Sequence, residues 1–269
     1  MRHLDTMLSG RFDPASFEII VVDDGSTDGS GAILAALASE LPHLVLLRHE
    51  RNQGYGASLK SAIRRARGLR IAITDADGTY PHDRLPDLIG IDAAMVVGAR
   101  VGDDVDYSKL RAVPKVFLRR YAEWVTRRTI PDINSGMRVF DRALAMRHFH
   151  LFPDGFSFTT TITMAALMEE ADVRFTPIGY AKRVGSSKIA PIRDTLRFIT
   201  LISRTGMYFA PLRILGPVVL AVWLLLIFSL GRDIYLRNFN DLSILLLSLA
   251  LNLTTLALVA DMLRRRTER

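Results

Sequence analysis

The chain has 269 residues, of which 49% are hydrophobic, and a formal net charge of +7. This length suits one large α/β domain with an appendage, and the positive charge favours acidic partners such as phosphorylated substrates and anionic lipid. The absence of cysteine excludes disulfides and thiol catalysis. Residues 1–16 are polar and lack an apolar core, so no signal peptide is expected there.

The first part of the chain alternates strand and helix patterns. Runs rich in β-branched residues predict strands at 17–22, 44–47, 71–74 and 93–98. Apolar stripes with helical spacing lie between them, at 30–40, around 59–66 and from about 85. Alternating units of this length predict a mainly parallel sheet with helices on both faces.

Two aspartates, Asp75 and Asp77, directly follow the third predicted strand. Acids at i and i+2 of a strand point the same way, so these two carboxylates would repel each other without a cation. Oxygen ligands select Mg²⁺ or Mn²⁺, and such an ion would in turn hold a diphosphate. A second pair, Asp104 and Asp106, has no strand before it and is interpreted as a solvated loop.

Charged residues also follow two other predicted strands. Asp23 and Asp24 end the first one, and Arg100 follows the fourth. Ligands of open α/β sheets bind outside the carboxyl ends of the strands, so these residues and the Asp75/Asp77 pair predict one site at this edge.

Six motifs occur in order along the chain. They are Val21-Val-Asp-Asp-Gly-Ser-Thr-Asp28, Asn52-Gln-Gly-Tyr-Gly56, Asp75-Ala-Asp77 with Pro81, Val97-Gly-Ala-Arg100, Asn134-Ser-Gly-Met-Arg138 and Arg183-Val-Gly-Ser-Ser-Lys188. Together they resemble family 2 glycosyltransferases of the polyprenyl-phosphate (dolichol-phosphate) mannose or glucose synthase type, over about residues 17–212. The resemblance implies a GT-A fold, a nucleotide diphosphate sugar donor and an isoprenoid lipid phosphate acceptor.

The resemblance also implies roles for individual residues. Those expected at the nucleotide sugar are Asp23, Asp24, Gly25, Ser26, Asp28 and Asp75. Asp75 and Asp77 are expected at the metal, and Asp77 and Arg100 are the residues expected to carry catalysis. Those expected to contact the acceptor or the diphosphate are Arg100, Arg111, Ser135, Arg138, Arg183, Ser187 and Lys188. The family often has Gln two residues after the second aspartate, where this chain has Thr79.

A threonine-rich stretch, residues 156–163, lies where many relatives carry an acid. Threonine cannot act as a general base at neutral pH. A phosphate acceptor needs no base because it is already anionic, whereas an alcohol acceptor does. This departure therefore favours a lipid phosphate acceptor.

The C-terminal part has the composition of a membrane anchor. Its predicted divisions, after a catalytic domain at 1–192, are a basic amphipathic segment at 193–213, spans at 214–230 and 242–262, an external loop at 231–241 and a basic tail at 263–269. Asn252, Thr254 and Thr255 are expected to bond between the spans. The alternative is a buried helical pair in a soluble domain.

Arginines lie outside both ends of this hairpin, for example at 264–266. The positive-inside rule then predicts a multi-pass protein of the cell membrane, with the catalytic domain and both termini cytoplasmic. The expected partners are the nucleotide sugar, the lipid phosphate and the bilayer, without nucleic acid, and a homo-oligomer is left open.

The N-terminal region departs from the family pattern. Members usually open with a strand and a Pro-x-Tyr-Asn-Glu-like turn, whereas the first strand here, at 17–22, resembles the family's second. A sheet that lacks a central parallel strand exposes the edges and apolar faces of its neighbours. We therefore expect either missing upstream coding sequence or a weakened enzyme.

Two other functions remain open at this point. One is a family 2 transferase that acts on a hydroxyl of a glycan or glycolipid. A processive polysaccharide synthase would usually show Gln-x-x-Arg-Trp, which this sequence lacks. The other is a catalytically impaired membrane scaffold that retains the fold.

Overall fold

A computed structural model describes residues 1–100, 109–155, 157–181, 191–238 and 240–267. The side chains of 109–115, 191–194, 266 and 267 are not included in this description. Asp104, Asp106, Arg183, Ser187 and Lys188 therefore lie outside the described residues, and so does the side chain of Arg111.

Strands and helices alternate as the sequence predicts. The strands are β1 (Ile19–Asp24), β2 (Leu44–His49), β3 (Arg70–Ile73), β4 (Met95–Ala99), β5 (Arg138–Asp141) and β6 (Val173–Pro177). The helices are α1 (Arg2–Ser9), α2 (Ser30–Glu40), α3 (Tyr55–Arg65), α4 (Leu85–Ile89), α5 (Lys109–Thr126), α6 (Arg142–Arg147), α7 (Phe158–Met168), α8 (Pro191–Phe209), α9 (Pro211–Leu236) and α10 (Asp241–Thr267).

The strands of the described residues form two sheets. β1 and β2 pair in parallel, and the other sheet has the order β3-β5-β4-β6. β6 is parallel to β4, but β5 is antiparallel to both of its neighbours. The expectation of a mainly parallel sheet therefore needs correction for β5. This strand has only four residues, too few for a periodic pattern to reveal it in the sequence.

The two sheets lie side by side and share a core. Leu4 of α1 belongs to one apolar cluster with Ile19 of β1 and Val139 of β5. At the start of β1, the carboxylate of Glu18 accepts a hydrogen bond from the backbone N–H of Arg67 at 2.6 Å, just before β3. Within the described part of the chain, β1 pairs only with β2 and β3 only with β5.

Burial is greatest in β4 and β5, the two central strands of the four-stranded sheet, and lower in the edge strands of both sheets. All five residues of β4 are buried, whereas in β3 only Ile73 is buried and Ala72 is exposed. In β1, too, only Ile19 and Asp23 are buried. The low burial of β1 and β3 therefore matches that of the other edge strands, β2 and β6.

The C-terminal helices α9 and α10 form a hairpin. Each is long and apolar enough to cross a membrane, and only 17% of the most apolar window is buried in either one. Large side chains such as Leu224 and Phe228 point outward. An outward apolar surface of this kind disfavours a helical pair buried within a soluble domain.

The turn of the hairpin is shorter than the sequence suggests. α9 continues to Leu236 and α10 begins at Asp241, so most of the expected loop at 231–241 is helical. The Asp233 carboxylate stabilises the tight turn, because it accepts hydrogen bonds from the Asn240 N–H at 3.1 Å and the Ser243 hydroxyl at 2.6 Å.

Polar contacts join the two helices at a few points. Trp223 Nε1 donates to Thr254 Oγ1 at 3.0 Å, and the hydroxyls of Ser229 and Ser243 lie 2.7 Å apart. Asn252 and Thr255 instead bond within α10, so the expected interhelical role is confirmed for Thr254 and wrong for these two.

Candidate functional site

One edge of the larger sheet collects the predicted site residues. β3, β4 and β6 end at this edge, and β5 begins there because it runs antiparallel to β3 and β4. Asp75 follows β3, Arg100 follows β4, Gly136 precedes β5 and Tyr180 follows β6. The topology therefore brings together residues that are far apart in the sequence.

Asp75 lies in a closely fitted position. Tyr55 Oη, from the start of α3, donates to Asp75 Oδ1 at 3.1 Å. A Cβ atom at Gly136 would lie 2.6 Å from Asp75 Oδ2, so only glycine leaves room for this carboxylate. Burial, with the nearby Asp75 charge, raises the pKa of the Tyr55 phenol and keeps it as a neutral donor.

Asp77 is exposed, two residues farther along. Its Oδ1 accepts hydrogen bonds from the Thr79 hydroxyl at 2.6 Å and from the Thr79 N–H at 3.2 Å. Thr79 thus orients Asp77 from the position where the resemblance would place glutamine.

The donor set fits a hard divalent cation. Asp75 and Asp77 offer only carboxylate oxygens, the ligands that Mg²⁺ and Mn²⁺ prefer. The described residues contain no group of three or more His, Cys, Asp or Glu side chains that could hold a metal ion. Two carboxylates suit an ion that takes its remaining ligands from water and substrate phosphate.

Arg100 is held by a carboxylate. Its Nε lies 2.7 Å from Asp132 Oδ2 and its Nη2 lies 3.0 Å from Oδ1, while its backbone N–H also donates to Oδ2 at 3.1 Å. Burial raises the pKa of Asp132, but the Arg100 contacts and an Asn134 N–H bond outweigh it and leave that pKa below its ordinary value. The guanidinium carbon is 5.1 Å from the centre of the Tyr180 ring.

Ser135 and Arg138 lie beneath this surface. Both are fully buried. The Ser135 hydroxyl donates to Gly98 O at 2.5 Å, and the Arg138 guanidinium donates to the carbonyl oxygens of Ser135 and Thr159. Both side chains are therefore bonded within the protein, and they support the loop before β5. Burial lowers the pKa of Arg138 to about 10, so it stays charged at neutral pH.

Residues 158–163 of the threonine-rich stretch form the first part of the buried helix α7. Thr160 Oγ1 donates to Asn134 Oδ1 at 2.7 Å, and Thr163 Oγ1 accepts from Arg138 at 2.8 Å. The first turn of α7 contains no acidic residue. The hydroxyls thus support the same loop and add no carboxylate to the site.

The acids that end β1 are bonded to the chain itself. Asp23 is buried and accepts the Ser26 N–H at 3.0 Å, with Arg48 Nε 3.4 Å away. A Cβ atom at Gly31 would lie 2.6 Å from Asp23 Oδ2.

Asp24 organises the glycine-rich turn before α3. It accepts the N–H groups of Gln53 at 2.9 Å and Gly54 at 2.8 Å, and His49 Nδ1 lies 2.7 Å away. Burial raises the pKa of Asp24, but these hydrogen bonds outweigh it and leave that pKa below its ordinary value. His49 also reaches Ser61 Oγ at 3.0 Å, which ties β2 to α3.

The residues that follow Asp24 form an exposed turn. Gly25 has φ of +70°, and a Cβ atom there would lie 2.7 Å from Asn52 N. Ser26 and Asp28 are exposed, and Asp28 accepts the Ser30 N–H at 3.1 Å at the start of α2. This turn keeps the open surface that a nucleoside would need.

The sequence did not predict several residues of the site. Tyr55 lies inside a motif that was quoted for its glycines, and Tyr80 follows the Asp75/Asp77 pair and accepts the Gly136 N–H at 2.6 Å. Asp132 precedes the Asn134 motif by two residues. The sequence offered only its closeness to that motif as a sign of the role of Asp132, because its partner Arg100 lies 32 residues away.

Comparisons with known proteins agree with this architecture. The sequence model of the family described as "Glycosyl transferase family 2" matches residues 4–149. The low-salt glycan biosynthesis hexosyltransferase Agl6 of Haloferax volcanii is 29% identical over 71% of this chain, which spans 47% of that relative. The dolichol-phosphate mannosyltransferase of Mycosarcoma maydis is 27% identical over 70% of this chain and 69% of its own length.

A solved structure has a similar fold. It is the glucosyl-3-phosphoglycerate synthase of Mycobacterium tuberculosis in complex with Mn²⁺, UDP-glucose and phosphoglyceric acid. The TM-score is 0.53 at 18% identity, with 76% of this chain and 74% of that chain covered. The likeness confirms the expected GT-A type of fold.

Proposed function

Because this chain belongs to the family 2 glycosyltransferases, we propose that it transfers a hexosyl group from a nucleotide diphosphate sugar to an isoprenoid lipid phosphate. The observation that carries the proposal is the sheet edge where Asp75, Asp77 and Arg100 follow β3 and β4. The apolar hairpin and the similarity to a hexosyltransferase and a dolichol-phosphate mannosyltransferase support a lipid acceptor.

Donor and acceptor have separate contacts in this proposal. The turn after Asp24, with Ser26 and Asp28, receives the nucleoside, and Asp75 and Asp77 receive the diphosphate together with Mg²⁺ or Mn²⁺. That ion would stabilise the negative charge of the departing diphosphate. Tyr55 and Thr79 hold the two carboxylates in the required orientation.

The acceptor phosphate is guided by Arg100, because a guanidinium matches phosphate oxygens in geometry and charge. A phosphate oxygen attacks the anomeric carbon as the bond to the diphosphate oxygen breaks, so the anomeric centre is inverted. No proton is transferred in this step. The absence of an acid from the first turn of α7 supports such an acceptor.

The catalytic domain rests on the membrane surface in this proposal. Tyr121 of α5 stacks on the exposed Trp124, and its hydroxyl lies 2.7 Å from Ser203 Oγ of α8. Arg213, near the start of α9, donates to Val125 O. Aromatic residues so close to a hairpin are typical of the membrane interface, where a lipid phosphate is accessible.

Turnover tests the proposed reaction. Purified protein should convert a radiolabelled nucleotide sugar into a lipid-extractable product only when polyprenyl phosphate is added. Arg100→Gln should lower the rate by about 100-fold, in the range seen when one transition-state contact is lost. The exposed Arg174, which pairs with Asp172, supplies the control Arg174→Gln. Transfer to an alcohol acceptor instead would contradict the proposed substrate class.

Cysteine labelling tests the proposed orientation, in which both termini are cytoplasmic. The chain lacks cysteine, so single cysteines at Asn238 and Thr267 report without background. An impermeant thiol reagent added to intact cells should label position 238 and spare position 267. Labelling of 267 alone would reverse the orientation.

A further inference from the structure

Arginines from three elements converge where the catalytic domain meets the hairpin, and we call Arg127, Arg213 and Arg264, with the adjoining Arg128, the interfacial arginine cluster. Arg213, from the start of α9, donates to Val125 O in the last turn of α5. Arg264, near the end of α10, donates to Phe209 O at the end of α8. Arg127 and Arg128 follow α5 directly, and both are exposed. Three separate elements thus bring positive charge to one place.

The charges of Arg127, Arg128 and Arg213 are poorly compensated. The charges of Arg127 and Arg264 both act against that of Arg213. Among the described residues, Arg127, Arg128 and Arg213 have no carboxylate within 4.0 Å. The ends of α5 and α8 each supply roughly half a negative charge, which is less than the guanidinium groups of Arg127, Arg128 and Arg213 bring.

Nearby carboxylates are already engaged. Glu123, on the last turns of α5, accepts from Arg120 at 3.3 Å and from the Ile130 N–H at 3.1 Å. Glu169 lies 2.7 Å from Arg147 and 2.9 Å from His148. These pairs leave Arg127, Arg128 and Arg213 with a positive charge that an external anion would neutralise.

We propose that the interfacial arginine cluster binds a phosphate group, supplied by the headgroup of an anionic membrane lipid. Guanidinium groups bind phosphate oxygens through paired, charge-assisted hydrogen bonds. The position at the base of α9 and α10, beside the exposed Trp124 and Tyr208, is the level at which headgroups lie. This site is distinct from the proposed acceptor position, because Arg100 lies at the end of β4.

Thermal unfolding in a neutral detergent tests the site. The probes are a short-chain phosphatidylglycerol, a short-chain phosphatidylcholine and inorganic phosphate, compared at equal ionic strength. The anionic lipid should raise the Tm by about 3 °C. The doubly substituted variant Arg127→Gln/Arg128→Gln should lose this rise. The control is Arg11→Gln/Arg67→Gln, which removes the same charge from exposed positions in the N-terminal half and should keep it.

Other outcomes of the same experiment distinguish a lipid headgroup from free phosphate and test the site itself. An equal rise with inorganic phosphate would overturn the lipid as the source of the phosphate group. An unchanged rise in the Arg127→Gln/Arg128→Gln variant, an equal loss in the control variant or no rise at all would overturn the site itself. Arg100→Gln should retain the full rise whether or not the proposed transferase function is correct, so the two proposals fail independently.

Discussion

Acids end β1 and follow β3, but the two groups have different surroundings. The Asp24 side chain is 19% exposed, and its oxygens accept two backbone N–H bonds and lie against His49. Asp77 is exposed, and its Oδ1 accepts from Thr79, two residues away. A carboxylate that bonds to backbone groups far along the sequence stabilises the fold. A carboxylate that bonds within its own turn keeps an exposed surface for a ligand. The comparison predicts that Asp24 serves mainly stability and Asp77 mainly chemistry.

The largest effect is expected for Asp77→Asn. Loss of one ligand charge should lower transfer by at least about 100-fold, because a direct ligand should cost at least as much as a residue that only orients a metal ligand, with little change in Tm. The measurements are turnover with Mn²⁺ and thermal unfolding. The control is Asp92→Asn, another exposed acid at the far end of the sheet.

The same preparation checks the metal. Transfer by the wild-type protein should stop in EDTA and return with added Mn²⁺. Turnover that is equal in the wild-type protein and Asp77→Asn, or that continues in EDTA, would remove Asp77 and the ion from the mechanism.

The opposite balance is expected for Asp24→Ala. This change leaves the N–H groups of Gln53 and Gly54 without their acceptor, which should destabilise the fold by about 2 kcal/mol and lower the Tm by about 4–8 °C. Transfer per folded molecule should fall less than in Asp77→Asn. If Asp24→Ala instead kept its Tm and lost all activity, Asp24 would be a ligand-binding residue and the comparison would be wrong.

Gly136 and Gly31 each lie against one of the acids that follow β3 or end β1. A Cβ atom at Gly136 or at Gly31 would lie 2.6 Å from an oxygen of Asp75 or Asp23, respectively. Gly136→Ala should displace Asp75 from the site and lower turnover by about 10-fold, because misplacement of a catalytic contact by a fraction of an ångström is expensive. Gly31→Ala should leave turnover within about two-fold, since the side chains that its Cβ atom would meet, Asp23 and Arg48, take no part in the proposed metal and phosphate contacts. Equal losses of turnover in both variants would show that the two acids have the same role.

Much of this architecture was predictable from the sequence. The strand runs, the glycine turns and the Asp75/Asp77 pair occupy local stretches, so periodicity and turn chemistry were sufficient to locate them. The edge formed by Asp75, Gly136 and Arg100 was predictable in part, since strand ends meet in an α/β sheet.

The remainder depends on contacts between distant parts of the chain. β5 is short and antiparallel, and nothing local indicates its direction. Asp132 acts through a pair with Arg100 that exists only after folding. Arg138 lies in a motif that predicted a ligand contact, but its side chain is fully buried. Local patterns identified the residue types, but only the packing separated supporting residues from surface residues.

The smallest expected effect is a pH dependence that belongs to Asp24. Its pKa in the folded protein lies below the ordinary value of 3.8, so its contribution to stability is complete above that value and is lost as the pH falls through the folded-state pKa. The Tm advantage of the wild-type protein over Asp24→Asn should therefore be constant near neutrality and shrink below about pH 4.

Because His49 faces Asp24 at 2.7 Å, the control is His49→Gln, which retains the Gln53 and Gly54 bonds. His49→Gln should keep most of the loss of stability at low pH. The loss of stability at low pH could instead disappear in His49→Gln and persist in Asp24→Asn. The histidine and not the carboxylate would then cause the pH dependence, and the hydrogen bonds from the glycine-rich turn would not set the pKa of Asp24.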